Sequence, residues 1–261
     1  MAVLGQATST LYTPPTSARP TQYPLWRTRL LWGLTAALGV GIFAMLYMVF
    51  FYAGTEINQG HVQRIFYIHV SAYAGGAVVF LITVIAGALY LYTRKAKWDR
   101  LALSSVEVGL PLMIVTLVTG SVWARPIWNV WWTADPRLNA MGVMVLLYLA
   151  YLVLRGAMDD PDRRARFAAV YGMLAFISVV YVYLIPRIRT DTLHPEVTTG
   201  GVQNPMASGG FQFQGDNLMG TTVSVAMIWF CTFAVVLLWH RVRLQNRIEA
   251  LREREAALMD D

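Results

Sequence analysis

The chain has 261 residues, of which 56% are hydrophobic and only 14% are charged. Soluble domains carry charges on about 25% of their residues, so this composition excludes an ordinary soluble domain and indicates an integral membrane protein. The net charge of +6 comes from basic residues between apolar runs, a pattern that reflects membrane topology and does not indicate binding to nucleic acid. The single cysteine, Cys231, excludes an internal disulfide.

Six apolar runs organise the chain. Residues 1–28 are polar and proline-rich, which predicts a disordered arm. Residues 29–240 are predicted to form an all-α bundle of six membrane-spanning helices, and residues 241–261 a solvated helical tail. The predicted spans are Leu30–Ala53, His69–Tyr92, Leu101–Val122, Leu138–Leu154, Phe167–Ile185 and Leu218–Trp239. The three longer connections between them are expected at about residues 54–68, 123–137 and 186–217.

The distribution of basic residues predicts the orientation of the bundle. Six spans place both termini on the same side of the membrane. Of the 21 Lys and Arg residues, 16 fall in the arm, the tail and the two short connections, and five fall in the three longer connections. The positive-inside rule therefore predicts that both termini are cytoplasmic and that the three longer connections face outward together.

The connection at 123–137 concentrates tryptophan. Tryptophan often forms an anchoring belt at the membrane interface, but a belt usually contributes one or two rings per helix end. Flat indoles beside arginines also suit a large planar ligand that carries carboxylates, and we prefer this hypothesis. The residues that carry it are Trp123, Arg125, Trp128, Trp131, Trp132, Asp135 and Arg137.

Two of the four histidines are candidate metal ligands. His69 opens the second span and His194 lies in the third long connection, so both are predicted on the same side as the tryptophans. Two neutral imidazoles on opposite faces of a haem iron would complete its coordination. For His61 and His240 we expect solvated or hydrogen-bonded side chains. The chain has no zinc-type spacing, no phosphate-binding loop and no hydrolase serine motif.

The remaining charged residues allow more than one interpretation. Glu107 lies inside a span, where an acid is either functional or hydrogen-bonded to water or a basic partner. Asp159, Asp160 and Asp162 predict a solvated turn at the start of a helix rather than a metal site. If the ligand is haem, its propionates could be held by an outer arginine, and either this role or headgroup anchoring fits each candidate. These candidates are Arg64, Arg125, Arg137, Arg187 and Arg189.

Three segments resemble motifs of one known family. The segment from Gly120 to Leu138 resembles the tryptophan-rich WWD signature of haem-handling proteins of cytochrome c assembly. The stretches Asn58–His69 and Thr192–His194 resemble the two histidine motifs of these proteins, in the same order along the chain. The resemblance covers about residues 25–245. The six spans and short length look most like the CcmC (haem exporter protein C) family, since CcmF and CcsA-type relatives would have more spans.

This resemblance implies a function and partners. Haem b (iron protoporphyrin IX) would be held at the outer face of the bacterial inner membrane and presented to the haem chaperone CcmE, which attaches it covalently to a histidine. CcmA and CcmB, which form an ABC transporter, and the small protein CcmD would be further partners. The protein would have no classical catalytic turnover of its own, although it could assist attachment to the chaperone.

The resemblance also assigns the site residues. It implies His69 and His194 as axial ligands, and as the haem platform Trp123, Trp128, Trp131, Trp132 and Asp135. We further expect Trp131, Trp132 and Asp135 to guide the chaperone. The chain departs from the family at Ala134, where Trp is common, and at Asn129, where Gly is common. CcsA-type haem handling, b-type electron transfer and solute transport remain alternatives, although the last two favour histidines or broken helices near the middle of the bilayer.

Overall fold

The computed structural model describes residues 23–189, 191–194 and 218–259. This part of the chain forms six α-helices, each long and apolar enough to cross a membrane, which confirms the predicted all-α class and the six spans. The helices are α1 Leu25–Tyr47, α2 Ile65–Thr93, α3 Ala96–Trp128, α4 Pro136–Gly156, α5 Pro161–Ile188 and α6 Met219–Met259. A π-helical turn, Met48–Tyr52, extends α1, and a 3-10 turn, His61–Arg64, precedes α2. Most of the predicted arm and most of the 186–217 connection lie outside the described residues.

Several helices are longer than the predicted spans. Helix α1 begins at Leu25, so the last four residues of the predicted arm are helical. Helix α6 continues without a break to Met259, so the sixth span and the predicted tail form one helix. Helix α3 continues to Trp128, and the first part of the tryptophan-rich connection, expected as a loop from residue 123, is therefore helical.

Helix α3 ends at Trp128 because of the conformation of the next residue, Asn129. Asn129 caps the helix in the left-handed region, with φ of 59°. Glycine reaches this region at the lowest cost, and asparagine is the side-chain-bearing residue that most often follows it. The departure from the family's glycine at this position therefore preserves the turn. The side-chain oxygen and the carbonyl of Asn129 also accept hydrogen bonds from Arg125 Nη1, at 2.5 and 2.6 Å.

Helices α4 and α5 begin with the same dipeptide. Asp135 precedes Pro136 and Asp160 precedes Pro161, and in both cases the aspartate caps the helix while proline occupies its first turn. Proline fits this position because it lacks an N–H that the first turn would leave unpaired. The amide of Arg163 donates to Asp160, and this hydrogen bond lowers the pKa of the exposed Asp160 carboxyl. The acidic cluster of Asp159, Asp160 and Asp162 therefore lies at a turn where a helix begins, as predicted.

Small residues allow helix α2 to lie in the centre of the bundle. A Cβ added at Gly75 would lie 2.8 Å from the carbonyl oxygen of Phe230 in α6, and one at Gly87 would lie 3.2 Å from that of Ala169 in α5. Both glycines thus permit a close approach of the neighbouring backbone. Around α2, one apolar cluster joins α1, α3 and α6, and a second joins α3, α4 and α5.

Ion pairs connect the helices near one end of the bundle. Arg155 of α4 donates to both oxygens of Asp99 in α3, at 2.5 and 2.8 Å. Arg241 of α6 lies 2.6 Å from Glu107 Oε1 in α3, so the intramembrane acid has the basic partner that a structural role requires. His240 contacts the hydroxyl of Thr35 at 2.8 Å, in agreement with the hydrogen-bonded role expected for it.

Candidate functional site

A cavity lies at the opposite end of the bundle, where α2 and α4 begin and α3 and α5 end. About 880 Å³ of this cavity is free of protein atoms, counting the part that opens to the outside. The wall of this cavity is mostly apolar, with a few polar groups, as is common in small-molecule and cofactor pockets. Six of the predicted site residues line it: His69, Trp123, Trp128, Trp132, Arg137 and His194.

His69 reaches the cavity from the first turns of α2. Its Nδ1 lies 3.2 Å from the hydroxyl oxygen of Thr119, which itself donates to the carbonyl of Val115 at 2.7 Å. Because that hydroxyl proton is used, the Thr119 oxygen accepts from His69, and the hydrogen-bond network assigns the imidazole proton to Nδ1. The neutral ring then has its lone pair on Nε2, which is the form that binds a metal.

His194 enters the same cavity from the segment that follows α5. Arg137 Nη1 donates to His194 Nδ1 at 3.0 Å. A guanidinium has no acceptor, so Nδ1 must supply the lone pair, and the proton of the neutral ring is assigned to Nε2. The two histidines are therefore held in opposite tautomers.

The two imidazole rings lie close together in the cavity. Their centroids are 6.2 Å apart and their planes are inclined by 28°. Two metal–imidazole bonds of about 2 Å each, added to the ring radii, place two centroids about 6 Å apart around one metal ion. The spacing of His69 and His194 therefore allows both imidazoles to bind one metal ion, although the two residues are 125 positions apart in the sequence.

Asp135 stands behind this pair and does not line the cavity. It is 3% exposed, and its carboxylate accepts four hydrogen bonds from the chain. Oδ1 accepts from the amides of Arg137 and Leu138 at the start of α4, at 2.8 and 3.3 Å. Oδ2 accepts from the Thr192 hydroxyl at 2.8 Å and from the Leu193 amide at 2.6 Å. Asp135 thus connects α4 to the segment that carries His194.

The four tryptophans fall into two groups. Trp123 and Trp128 lie on the last turns of α3 and meet edge to face, with centroids 5.1 Å apart. Trp132 also lines the cavity and donates to Asn139 at 3.3 Å. Trp131 lies outside the cavity wall and is 59% exposed. Three indoles therefore belong to the cavity, whereas the fourth is presented at the surface.

Of the five arginines considered as propionate partners, Arg137 lies in the cavity wall. Arg125 bonds to the cap of α3, and Arg64 lies over the ring of Phe50 at 5.8 Å. Arg187 donates to the carbonyl of Tyr183 and lies over its ring. Arg189 forms an exposed two-bond ion pair with Asp191, and this pairing lowers the pKa of that carboxyl.

Sequence reasoning did not assign a role to three residues that support the site. Thr119 fixes the tautomer of His69, as described above. Gln59 accepts a hydrogen bond from the indole N–H of Trp123 at 2.9 Å and so orients that ring. Gly120 lies against His69, because a Cβ added there would be 3.0 Å from its Cε1. Gln59 and Gly120 stand inside the motifs on which the resemblance rested, but their roles required the three-dimensional contacts.

Together, the fold and the site define a multi-pass membrane protein with a cavity lined by histidine and tryptophan at one end of a six-helix bundle. A family model described as Heme exporter protein C (CcmC) matches residues 15–257. The chain belongs to this family.

Curated proteins named Heme exporter protein C are similar to the chain over different lengths. The protein of Bradyrhizobium diazoefficiens is 32% identical over 245 residues, which cover 93% of this chain and 88% of that protein. The protein of Rhodobacter capsulatus is 27% identical over 167 residues, covering 64% and 68%. The protein of Escherichia coli K12 is 30% identical over 136 residues, covering 52% and 54%.

Proposed function

We propose that the protein binds haem b between His69 and His194 and delivers it to a haem chaperone of the CcmE type. Membership of the Heme exporter protein C family supports a role in haem handling for cytochrome c maturation. The observation that carries the finer proposal is the spacing of the two imidazoles, which matches axial ligation of one iron. Haem would supply the iron and a flat apolar macrocycle with two carboxylates.

The surroundings of the two histidines suit such a ligand. Trp123, Trp128 and Trp132 offer apolar faces to a planar macrocycle. Arg137 offers a guanidinium in the same cavity, and a guanidinium can hold a propionate through two hydrogen bonds. The propionate role, which the sequence left open among five arginines, is therefore proposed for Arg137.

The hydrogen bond between Arg137 and His194 gives this proposal a further element. His194 can ligate through Nε2 only when Nδ1 carries the proton, and Arg137 cannot accept that proton. Arg137 therefore has to leave Nδ1 when His194 becomes a ligand. This movement frees the guanidinium for a carboxylate partner at the same time, whereas His69 is already held in its ligating tautomer by Thr119.

Haem content tests the binding proposal. His69→Gly and His194→Gly should each lower the haem retained per purified protein, and added imidazole should restore part of it by filling the vacated volume. His61→Gly is the matched control, because His61 is an exposed histidine at the same end of the bundle. Equal haem retention in all three variants would contradict ligation by His69 and His194.

Delivery requires that part of the site be accessible to a partner. Trp132 lines the cavity and is 42% exposed, and its neighbour Trp131 is 59% exposed. The two residues therefore connect the cavity wall with the protein surface. We propose this pair as the contact for CcmE, with the CcmA/CcmB transporter and CcmD as the associated assembly. The protein then acts as a carrier and not as an enzyme with its own turnover.

The delivery proposal is tested by a ratio. Covalent haem on the chaperone, divided by haem bound to this protein, is measured in membranes that contain both. Trp131→Ala should lower the ratio while haem binding is kept. Trp26→Ala, which replaces an exposed tryptophan at the start of α1, is the control. A Trp131 variant with an unchanged ratio would show that this tryptophan does not serve delivery.

The site is proposed to lie on the outer face of the bacterial inner membrane. The excess of Lys and Arg in the terminal segments and the two short connections supports this orientation. Reporter fusions after residues 97 and 160 should report the cytoplasm, and fusions after residues 60 and 130 should report the exterior. A reversed result at residue 130 would put the cavity on the wrong side for the proposed delivery.

A further inference from the structure

We infer that Asp135 is a positioning residue for His194. It holds the backbone of residues 192–194 so that the imidazole stands opposite His69. The inference rests on the proposed function, in which His194 ligates haem, and it gives Asp135 a different task from the haem or chaperone contact expected from the sequence.

The hydrogen bonds form a continuous path from helix α4 to His194. One carboxylate oxygen of Asp135 caps α4, and the other accepts from the Thr192 hydroxyl and the Leu193 amide. The Thr192 oxygen in turn accepts from the His194 amide at 3.2 Å. Asp135 and Thr192 are 3% and 1% exposed. Hydrogen bonds to a buried carboxylate are strong, so this path fixes the segment firmly to the start of α4.

The segment needs such a support because it has no regular structure of its own. Helix α5 ends at Ile188, and residues 191–194 lie in neither helix nor strand. A ligand carried by a segment of this kind is pre-organised only if neighbouring elements restrain its backbone. His69, in contrast, is carried by α2. The two histidines are therefore held by different means, and Asp135 restrains the backbone that carries His194.

A direct contact between Asp135 and haem does not explain these contacts. A carboxylate has about four acceptor positions, and the four hydrogen bonds from the chain occupy them. Asp135 is also absent from the residues that line the cavity. A negative charge would moreover repel the propionates of the ligand. Asp135 therefore lies outside the cavity and holds the segment that carries His194.

Two isosteric substitutions separate this support from the capping of α4. Asp135→Asn keeps one oxygen for the cap, but its amide nitrogen cannot accept from Thr192 or Leu193. Thr192→Val removes the hydroxyl without touching the cap, and Thr192→Ser restores it. Asp160→Asn is the matched control. Asp160 caps α5 in the same Asp-Pro sequence, and its carboxylate accepts a hydrogen bond from the Arg163 amide at the exposed start of that helix.

The first measurement is made without haem. Hydrogen–deuterium exchange at the amides of Leu193 and His194 should become about tenfold faster or more in Asp135→Asn and in Thr192→Val, since each loses at least one restraining hydrogen bond. Thr192→Ser and Asp160→Asn should exchange at the parental rate. Unchanged exchange in Asp135→Asn and Thr192→Val would overturn the inference, whatever the proteins do with haem.

The second measurement uses haemin added to the same proteins. The visible spectrum of Asp135→Asn and Thr192→Val should shift from the six-coordinate form towards a five-coordinate form, and free imidazole should restore the six-coordinate form. Faster exchange with an unchanged spectrum would also overturn the positioning role. Failure of the proposed function is distinguishable, because His194→Gly would then leave the spectrum unchanged while exchange in Asp135→Asn is still accelerated.

Discussion

The contact between Gly120 and His69 makes a single added methyl group informative. A Cβ at residue 120 would lie 3.0 Å from His69 Cε1, whereas ordinary contacts begin at 3.4 Å, so the ring must move by about 0.4 Å. Overpacking of this kind costs about 1–3 kcal/mol. We expect Gly120→Ala to weaken haem binding about tenfold, which corresponds to about 1.4 kcal/mol.

The assay for Gly120→Ala is a haemin titration of the purified protein, followed by absorbance. Gly142→Ala is the control, because a Cβ there would lie 3.7 Å from Trp132, an ordinary contact on the same cavity wall. Alanine favours the helix over glycine at both positions, so poor folding is not expected to imitate the effect. Equal affinities of the two variants and the parent would refute the view that the His69 ring position controls binding.

Three further predictions concern residues around the site and at the other end of the bundle. Thr119→Val removes the acceptor of the His69 Nδ1 proton and should weaken haem binding about tenfold. Thr119→Ser keeps the hydroxyl and should bind haem normally. Equal haemin affinities of the two variants would contradict the assigned tautomer. Arg137→Lys keeps the charge but loses the planar guanidinium that can form two parallel hydrogen bonds. Haem should therefore dissociate faster from this variant, as measured by stopped-flow transfer to apomyoglobin. A dissociation rate equal to that of the parent would exclude a propionate contact. Glu107→Gln breaks the ion pair with Arg241 and should lower the free energy of unfolding by about 0.5–1 kcal/mol, while haem binding is kept. A loss of haem binding would instead indicate that Glu107 has a functional role.

Much of the fold could be predicted because its cause is local. Apolar runs of membrane length define six helices without reference to their neighbours, and the Asp-Pro pairs at residues 135 and 160 mark two helix starts. The end of α3 was less predictable. Pro126 predicts a break inside the tryptophan-rich segment, but α3 continues past it, and the left-handed cap at Asn129 decides the boundary.

The sequence predicted part of the cavity lining, but it did not predict the contacts that position those residues. Histidine and tryptophan are rare enough in this setting to be noticed, and six of the predicted residues line one cavity. The resemblance implied a haem or chaperone contact for Asp135, and nothing in the sequence indicated a support for His194. Its four hydrogen bonds depend on Thr192 and Leu193, which are 57 and 58 positions away and reach it only after α4 and α5 have packed. Long-range contacts of this kind have no periodic signal in the sequence.

The most direct test of ligation by His69 and His194 is the electron paramagnetic resonance spectrum of the ferric protein, recorded for the parent, both single glycine variants and the double variant at equal haem loading. Two imidazoles on one iron predict a low-spin parent spectrum. Each single variant should turn high-spin and return to low-spin with added imidazole, and the double variant should lose the protein ligands altogether. A double variant that keeps the low-spin spectrum of the parent would show that neither histidine binds the iron.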